Sequence, residues 1–432
     1  MSVLLSESKR LFRPVRVVAA TVVFLFVLCF FMPYSVWNAD VQLAADAGTI
    51  LAERYGTHLD AQERAVIENE LFAEMKENIR LRMAACEVFC DAEVKTYEEY
   101  SFLRYDKTRL AAMTEEDKNA MSDEHFLLNY GVGKDYVAIL SEAEKTLLEL
   151  SDAQEGEVGE ILYDCLVFQR IEDWVTFWYD DRQRLASFAE NAETSYEAEA
   201  LQAYVQTENY YGNMPNEVSE AVGQSFQYVS VVLVFAAYLL CALVPATDRM
   251  CRMDLLQCVT KKGKKVLHSQ YSAVLLCAFA LSVIGVFSVF VFLLAKIPSA
   301  LWRCPLNSYQ SYFTVYCFNG TLGQYFLLLA LLLVLLVLVC CLLAFTVSLF
   351  AKSYTALLGI LLPLSVATEW LANLLFRIPF SVKQSLHGPL YFSDLIPFPM
   401  AEIPVCAALC AVAVAVSLII IQKRKKELSD YT

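Results

Sequence analysis

The feature that most constrains this chain is a series of apolar stretches too long for the core of a globular protein. Residues 17–34 form a run of 18 without a charge, and residues 226–245 a run of 20. Because an α-helix rises ~1.5 Å per residue, about 20 apolar residues cross the hydrocarbon of a bilayer. The chain is also 57% hydrophobic and only 19% charged. These observations predict an all-α polytopic membrane protein.

We predict six transmembrane helices, with a large domain between the first two and a re-entrant outer segment before the last. The segments are a cytoplasmic N-terminus at 1–16, helix one at 17–37, an acidic extracytoplasmic domain at 38–225, helix two at 226–245, a cytoplasmic loop at 246–270, helices three to six within 271–422, and a cytoplasmic tail at 423–432.

Residues 17–37 and 377–402 do not have a single obvious assignment. A cleaved signal peptide is the alternative for residues 17–37, but the apolar run exceeds the ~7–15 residues of a signal core, which favours an uncleaved anchor. Residues 377–402 hold four prolines among apolar residues. The segment is too hydrophobic for a free loop and too broken for a normal span, so it predicts a pair of short, half-inserted helices.

Basic residues orient the predicted spans. The loop at 246–270 carries six lysines and arginines against two acids. By the positive-inside rule such a loop is cytoplasmic. Lys9, Arg10, Arg13 and Arg16 before the first span, and the run 423–426 after the last, place both termini on the same side. We therefore expect a multi-pass protein of a bacterial plasma membrane, with its large domain outside.

The extracytoplasmic domain is acidic and has helical periodicity. It holds 40 of the 48 acids but only 15 of the 34 bases. Apolar residues recur every fourth position behind a candidate cap at Asp60, which predicts one face of a long helix: Ile67, Leu71, Met75, Ile79 and Met83. The excess carboxylates form either a solvated surface or a site for a cationic ligand. They make nucleic acid an unlikely partner.

Five of the 14 cysteines lie outside the apolar spans and the basic loop. They are Cys86, Cys90 and Cys165 in the acidic domain and Cys304 and Cys317 in a later outer loop. The sequence leaves open whether Cys304 and Cys317 form a bridge or whether all five are free thiols, because connectivity cannot be deduced from spacing. The cysteines inside the spans are expected to pack as small hydrophobic residues.

The sequence contains no motif for catalysis. Gly-x-x-x-x-Gly-Lys-Ser/Thr, His-Glu-x-x-His and Gly-x-Ser-x-Gly are all absent. We therefore expect no catalytic residue, no metal site, no directly bound cofactor and no ATP hydrolysis by this chain itself. Glu369 is the one acid well inside an apolar segment. Since intramembrane carboxylates are costly, it is either a translocation-path residue or a structural one that reaches the outer interface.

The basic loop is more apolar than a solvated hairpin requires. Cys251, Leu255 and Cys258 align on one side of a helix, while Met250, Met253 and Leu256 line another part of its circumference. One interpretation is an interfacial helix resting among lipid headgroups. The other is a helix that packs under the bundle and inserts into a cytoplasmic partner, ending at Gly263. The candidate coupling residues are Met250, Met253, Asp254, Leu255, Leu256 and Gly263.

With these features the chain resembles a permease subunit of the type-2 family of ATP-binding-cassette (ABC) transporters. The resemblance covers the membrane part, about half the chain. The family's loop resembles an acid, a Gly-Thr pair, a Leu-Leu step, a Gly-Arg turn and a lysine opening the third span. Here Asp248, Leu255–Leu256 and Gly263–Lys264 stand at similar places, whereas Cys251–Arg252 replaces Gly-Thr and Gln270 occupies the lysine position.

The resemblance implies an exporter in which two permease subunits, identical or different, form the path. A separate cytoplasmic ATPase binding ATP-Mg would grip each coupling helix. One alternative is a mechanotransmitting permease, which works its ectodomain and moves nothing across the bilayer. A second is a receptor whose acidic ectodomain binds a cationic peptide, although no recognisable signalling domain follows the last span.

Overall fold

The computed structural model describes residues 2–12, 19, 24, 32–59, 61–105, 142–153, 156–190, 212–251, 266–308, 314–318, 320–351, 353–383, 392–396 and 398–429. Within them the chain forms two compact units. One comprises residues 1–58 and 179–432, and the other residues 59–178. The predicted domain at 38–225 is therefore wider than the compact unit at 59–178. Residues 39–58 and the first turns of the helix at Asn216–Met250 belong to the other unit, which contains the apolar helices.

The described residues are mainly helical. The helices are α1 (Ser2–Leu11), α2 (Met32–Ser35), α3 (Ala39–Tyr55), α4 (Ala61–Val66), α5 (Phe72–Ala85), α6 (Glu87–Asp91), α7 (Tyr97–Tyr105), α8 (Glu142–Ala153), α9 (Gly156–Glu190), α10 (Asn216–Met250), α11 (Val266–Lys296), α12 (Leu322–Ser348), α13 (Tyr354–Phe376), α14 (Phe392–Leu395) and α15 (Glu402–Ser429). A π-helical segment, Ile67–Leu71, joins α4 to α5, and the short strands β1 (Thr314–Tyr316) and β2 (Ser381–Lys383) pair antiparallel.

Five of these helices are long and apolar enough to cross a membrane, by length and composition: α10, α11, α12, α13 and α15. They overlap the predicted spans two to six. The predicted first span at 17–37 lies largely outside the described residues. Helix α10 packs against α11, α12 and α13, and also against α1 and α3, so it is the central helix of this unit.

Cysteines inside the bundle are small packing residues, as expected from the sequence. Cys241, Cys277, Cys340, Cys341 and Cys406 are all buried and free. The five cysteines outside the bundle and the basic loop form no disulfide, so Cys304 and Cys317 are not bridged to each other. Cys304 is buried, and its thiol points at the carbonyl oxygen of Ala300, 3.7 Å away.

Prolines lie in two parts of the bundle that the sequence singles out. Pro363 stands within a predicted span, where a proline is expected to interrupt the helix, yet α13 continues through it. Of the predicted pair of short helices within 377–402, the described residues contain one, α14 at Phe392–Leu395; residues 381–383 form β2, and residues 384–391 lie outside the described residues. Phe380 has φ 61, and this left-handed residue turns the chain out of the helix and into the strand.

The unit at 59–178 has a helical core of its own. Phe168 is fully buried, and its ring packs edge-on against Tyr97, with centroids 4.7 Å apart, and against Phe72 at 5.5 Å. Arg82 on α5 forms ion pairs with Asp164 and Glu160 on α9, which fasten the two helices on the solvent side of this core. The prediction of helical structure is confirmed for the described part of this unit.

The every-fourth-residue pattern has a geometric cause. An α-helix turns every 3.6 residues, so a strict four-residue repeat drifts around its surface, and a wider π-turn corrects the drift. The π-helical segment Ile67–Leu71 provides this correction. As a result Ile67, Leu71, Ile79 and Met83 are all buried. The candidate cap Asp60 lies outside the described residues.

The chain pairs with itself where it leaves and re-enters the first unit. We call residues 56–58 and 212–213 the paired base. The amide of Asn213 donates to the carbonyl of Thr57 at 3.1 Å, and its side chain donates to the carbonyl of Gly56 at 2.8 Å. Just above, α3 approaches the start of α10 closely, because a Cβ on Gly48 would lie 2.6 Å from Cγ of Pro215. Glycine at 48 is thus needed for this packing.

Candidate functional site

The end of α10 is joined by polar contacts to several other parts of the bundle. Three consecutive residues, Thr247, Asp248 and Arg249, each bond to a different part of the bundle. Thr247 contacts the hydroxyl of Tyr354 at the start of α13, at 3.1 Å. Arg249 donates to the carbonyl of Leu349, just after α12, at 2.5 Å. This is the end of the bundle that the charge pattern predicts to be cytoplasmic.

Asp248 belongs to a group of four side chains from three helices, Glu7, Arg10, Asp248 and Gln270, which we call the polar network. Arg10 on α1 binds both carboxylate oxygens of Asp248, one of them at 3.0 Å through Nη1. Gln270 on α11 donates to Oδ2 of Asp248 at 2.8 Å. The hydrogen bond with Asp248 is the main cause that raises the pKa of Arg10, against burial, which lowers it.

Glu7 completes the network from the same helix as Arg10. Its two oxygens accept from Nη1 of Arg10 at 3.3 and 3.2 Å, and Oε2 also accepts from Gln270 at 3.4 Å. Glu7, Asp248 and Gln270 are buried, whereas 33% of the Arg10 side chain is exposed. Buried carboxylates require such partners, because an unpaired buried charge is strongly unfavourable.

The structure places one of the predicted coupling residues beside this network. Met250 ends α10, and its side chain packs against the core. Met253, Asp254, Leu255, Leu256 and Gly263 lie outside the described residues, so their predicted role stays a prediction. Asp248 and Gln270, which flank that segment in the sequence, are joined by the 2.8 Å hydrogen bond. The two helix ends that bracket residues 252–265 are therefore in contact.

Glu369, the predicted path residue, lies on α13 beside other polar side chains. Its Oε2 is buried and has no hydrogen-bond partner within the part of the chain that the structure describes. The preceding residue, Thr368, bonds the hydroxyl of Tyr238 on α10 at 3.4 Å. One turn further along α13, Asn373 accepts a hydrogen bond from Gln227 of α10. The polar groups thus follow the α10–α13 contact.

The carboxylates of the compact unit at 59–178, which we call the acidic unit, are partly neutralised by its own bases. The ammonium of Lys76 is 2.7 Å from Glu98 and 3.9 Å from Glu172, and it lies over the ring of Phe168 at 5.4 Å. Burial raises the pKa of Glu172 and is only partly offset by Lys76. Burial also raises the pKa of Glu98, but the hydrogen bond and the charge of Lys76, together with hydrogen bonds from the backbone and Thr96, outweigh it and leave that pKa lowered. A structural ion pair accounts for these groups.

Sequence reasoning missed most of the residues that the structure brings together here. Glu7 and Arg10 were counted only as part of a basic terminus, and Thr247, Arg249 and Tyr354 were not singled out. One available signal was the lone acid Glu7 three residues before Arg10, with Leu4 and Leu11 on the same helical face. The uncharged polar residues of the spans, Gln227 and Asn373, were overlooked because only charges were considered.

No protein-family model, curated protein or solved structure matches this chain. The class of protein therefore follows from the fold alone. Five apolar helices, each long enough to span a bilayer, pack into one unit around α10, and residues 59–178 form a second, helical unit. These features are those of an α-helical, multi-pass integral membrane protein.

Proposed function

We propose that this chain is the membrane-spanning permease subunit of a type-2 ABC exporter, driven by a separate cytoplasmic ATPase. The observation that carries the proposal is the joined end of α10. A segment that receives force from a partner must be connected to several spans, and Thr247, Asp248 and Arg249 bond to four other elements immediately before it.

In this proposal residues 250–263 form the coupling helix, and the path is shared with a second permease subunit. The six spans place both termini and the coupling helix inside the cell and the acidic unit outside, as the basic clusters indicate. ATP-Mg binds to the partner ATPase, since this chain lacks a P-loop. Binding draws two ATPases together, and the coupling helix carries their movement into α10 and α11.

The partner is tested by affinity purification in mild detergent. We expect a P-loop ATPase to co-purify with the full-length chain, and to be lost from the double variant Leu255→Asp/Leu256→Asp. The reason is that a charge in an apolar contact leaves a desolvated carboxylate without a partner. The matched control is Val66→Asp/Leu81→Asp, which places the same two charges at exposed apolar positions of the unit at 59–178, outside the candidate spans. A stable wild-type protein without any such ATPase would count against the proposal.

Glu369 is the proposed path residue. A carboxylate oxygen without a partner inside an apolar helix is costly, which supports a role in contacting a polar substrate or water. We expect a cysteine introduced by Glu369→Cys to react with a water-soluble thiol reagent. The control is Val366→Cys, one turn away on an exposed apolar position. Equal and negligible labelling of both positions would assign Glu369 to a structural role.

A mechanotransmitting permease is the second candidate, and one observation favours it. Helix α10 is continuous from Asn216, next to the paired base, to Met250. At ~1.5 Å per residue it would carry movement over about 50 Å. That class usually has four spans, however, and the five candidate spans among the described residues support the exporter instead. Labelling of residues 352 and 384–391 from each side distinguishes the two topologies.

A further inference from the structure

The N-terminal helix α1 is held to the bundle by a closed set of charge-assisted hydrogen bonds. All four carboxylate oxygens of Glu7 and Asp248 accept from Arg10 or Gln270. Arg10 touches both acids, and so does Gln270. Each of the three helices α1, α10 and α11 therefore contributes at least one side chain that is hydrogen-bonded to both other helices.

The chemistry of Arg10 makes this contact directional. A guanidinium that binds both oxygens of one carboxylate fixes the angle as well as the distance between the two groups. An ammonium acts as a point charge and leaves the angle free. Because Asp248 and Gln270 are buried, water does not readily replace the arginine. The fork between Arg10 and Asp248 therefore sets the orientation of the α10 end relative to α1.

The same network fixes α11. Gln270 lies in the second turn of α11, and its amide bridges Asp248 at 2.8 Å and Glu7 at 3.4 Å. If Arg10 is lost, two buried carboxylates remain next to each other with one neutral amide between them. Their repulsion acts to separate α1, which carries Glu7, from α10, which carries Asp248. Among the four members of the polar network, Arg10 is thus the one positive charge, and it holds α1 to the end of α10 while Gln270 ties both acids to α11.

We propose that Arg10 is a positioning residue for force transmission, through which α1 makes the ends of α10 and α11 move as one body. Movement delivered at the end of α10 then reaches α11 at the same time. That the movement comes from an ATPase rests on the proposed function. The fixed spacing between the ends of α10 and α11 does not depend on it. In this proposal the N-terminal helix α1 takes part in transmitting movement between the ends of α10 and α11.

The test measures the distance between the two helix ends in the full-length chain. Spin labels are attached to the native Cys251 and to a cysteine introduced by His268→Cys, both of which are exposed positions beside the polar network. Cys90, Cys258 and Cys317 are replaced by serine so that they do not react. Arg10→Gln removes the charge, Arg10→Lys removes the fork and keeps the charge, and Lys9→Gln is the matched control on an exposed neighbour.

We expect one narrow distance distribution in the parent protein and in Lys9→Gln. Arg10→Gln should broaden it about twofold, and Arg10→Lys should give an intermediate width, since the charge remains but the angle is free. Addition of a non-hydrolysable ATP analogue to the complex with the ATPase should leave the distance unchanged in the parent protein and lengthen it in Arg10→Gln. A distribution that is the same in all four proteins would overturn the positioning role.

The two arms separate this inference from the proposed function. Broadening in Arg10→Gln when no ATPase binds to the parent protein supports the positioning role and contradicts the exporter proposal. An ATPase that binds normally, together with unchanged distances in Arg10→Gln, contradicts the positioning role alone. A nucleotide-induced change of the same size in the parent protein and in Arg10→Gln also contradicts it.

Discussion

Replacing Arg10 by alanine is expected to lower the thermal midpoint of the full-length protein in detergent by about 5 °C. The change leaves the carboxylates of Glu7 and Asp248 buried without their cation. Breaking a fully buried ion pair costs about 3–5 kcal/mol, and the exposed third of the Arg10 side chain reduces this to about 2–3 kcal/mol through solvent screening. The decrease in the thermal midpoint is measured by following the thermal unfolding of the unit that contains the apolar helices.

The matched control for Arg10→Ala is Lys9→Ala. Lys9 lies on the same helix and carries the same charge, but its side chain is exposed. Surface changes of this kind alter stability by about 0.5 kcal/mol or less. Equal effects of the two substitutions would show that the net charge of the N-terminus matters and the polar network does not.

Replacing Phe168 by alanine is expected to lower the free energy of unfolding of the acidic unit by about 3–5 kcal/mol, the largest effect that we predict. Its ring is fully buried and is enclosed by Phe72, Tyr97 and the ammonium of Lys76. Removal leaves a cavity among rings that cannot collapse freely, because their edge-on packing fixes their positions. Faster amide hydrogen exchange throughout the described parts of 59–178 is the expected signal.

Locality is the second half of this expectation. Because residues 59–178 form a compact unit with their own core, the exchange rates in α11, α12 and α13 should stay unchanged. Leu81→Ala is the control, since Leu81 lies on α5 but is 52% exposed. Faster exchange in the spans of the Phe168→Ala protein would mean that the two units do not unfold independently.

The spans could be predicted from sequence because their signal is local. An uncharged run as long as 226–245 has few folded alternatives, and α10 extends beyond it at both ends. The four-residue pattern from Ile67 to Met83 likewise identified four buried positions correctly, and its fifth member, Met75, is half-buried against the same core. It could not reveal the π-helical segment that lines them up, because an apolar repeat fixes a face and leaves open how the backbone turns between its members.

The strands and the polar network could not be predicted because both depend on contacts distant in sequence. Val315 pairs with Val382, and nothing within three residues of either requires a strand. Arg10 and Asp248 are 238 positions apart. In a basic N-terminus an arginine is normally read as a topology signal, and only the folded chain shows that this one neutralises a buried acid.

The central claim is that the end of α10 faces the cell interior while the acidic unit faces outside. Two native thiols test it most directly, because Cys90 in the acidic unit and Cys251 at the end of α10 are both exposed. Intact cells are treated with a membrane-impermeant maleimide, and the modified residues are identified with the aid of Cys90→Ser and Cys251→Ser. The account predicts that Cys90 reacts in intact cells and Cys251 only after permeabilisation. Labelling of Cys251 from outside intact cells would contradict it.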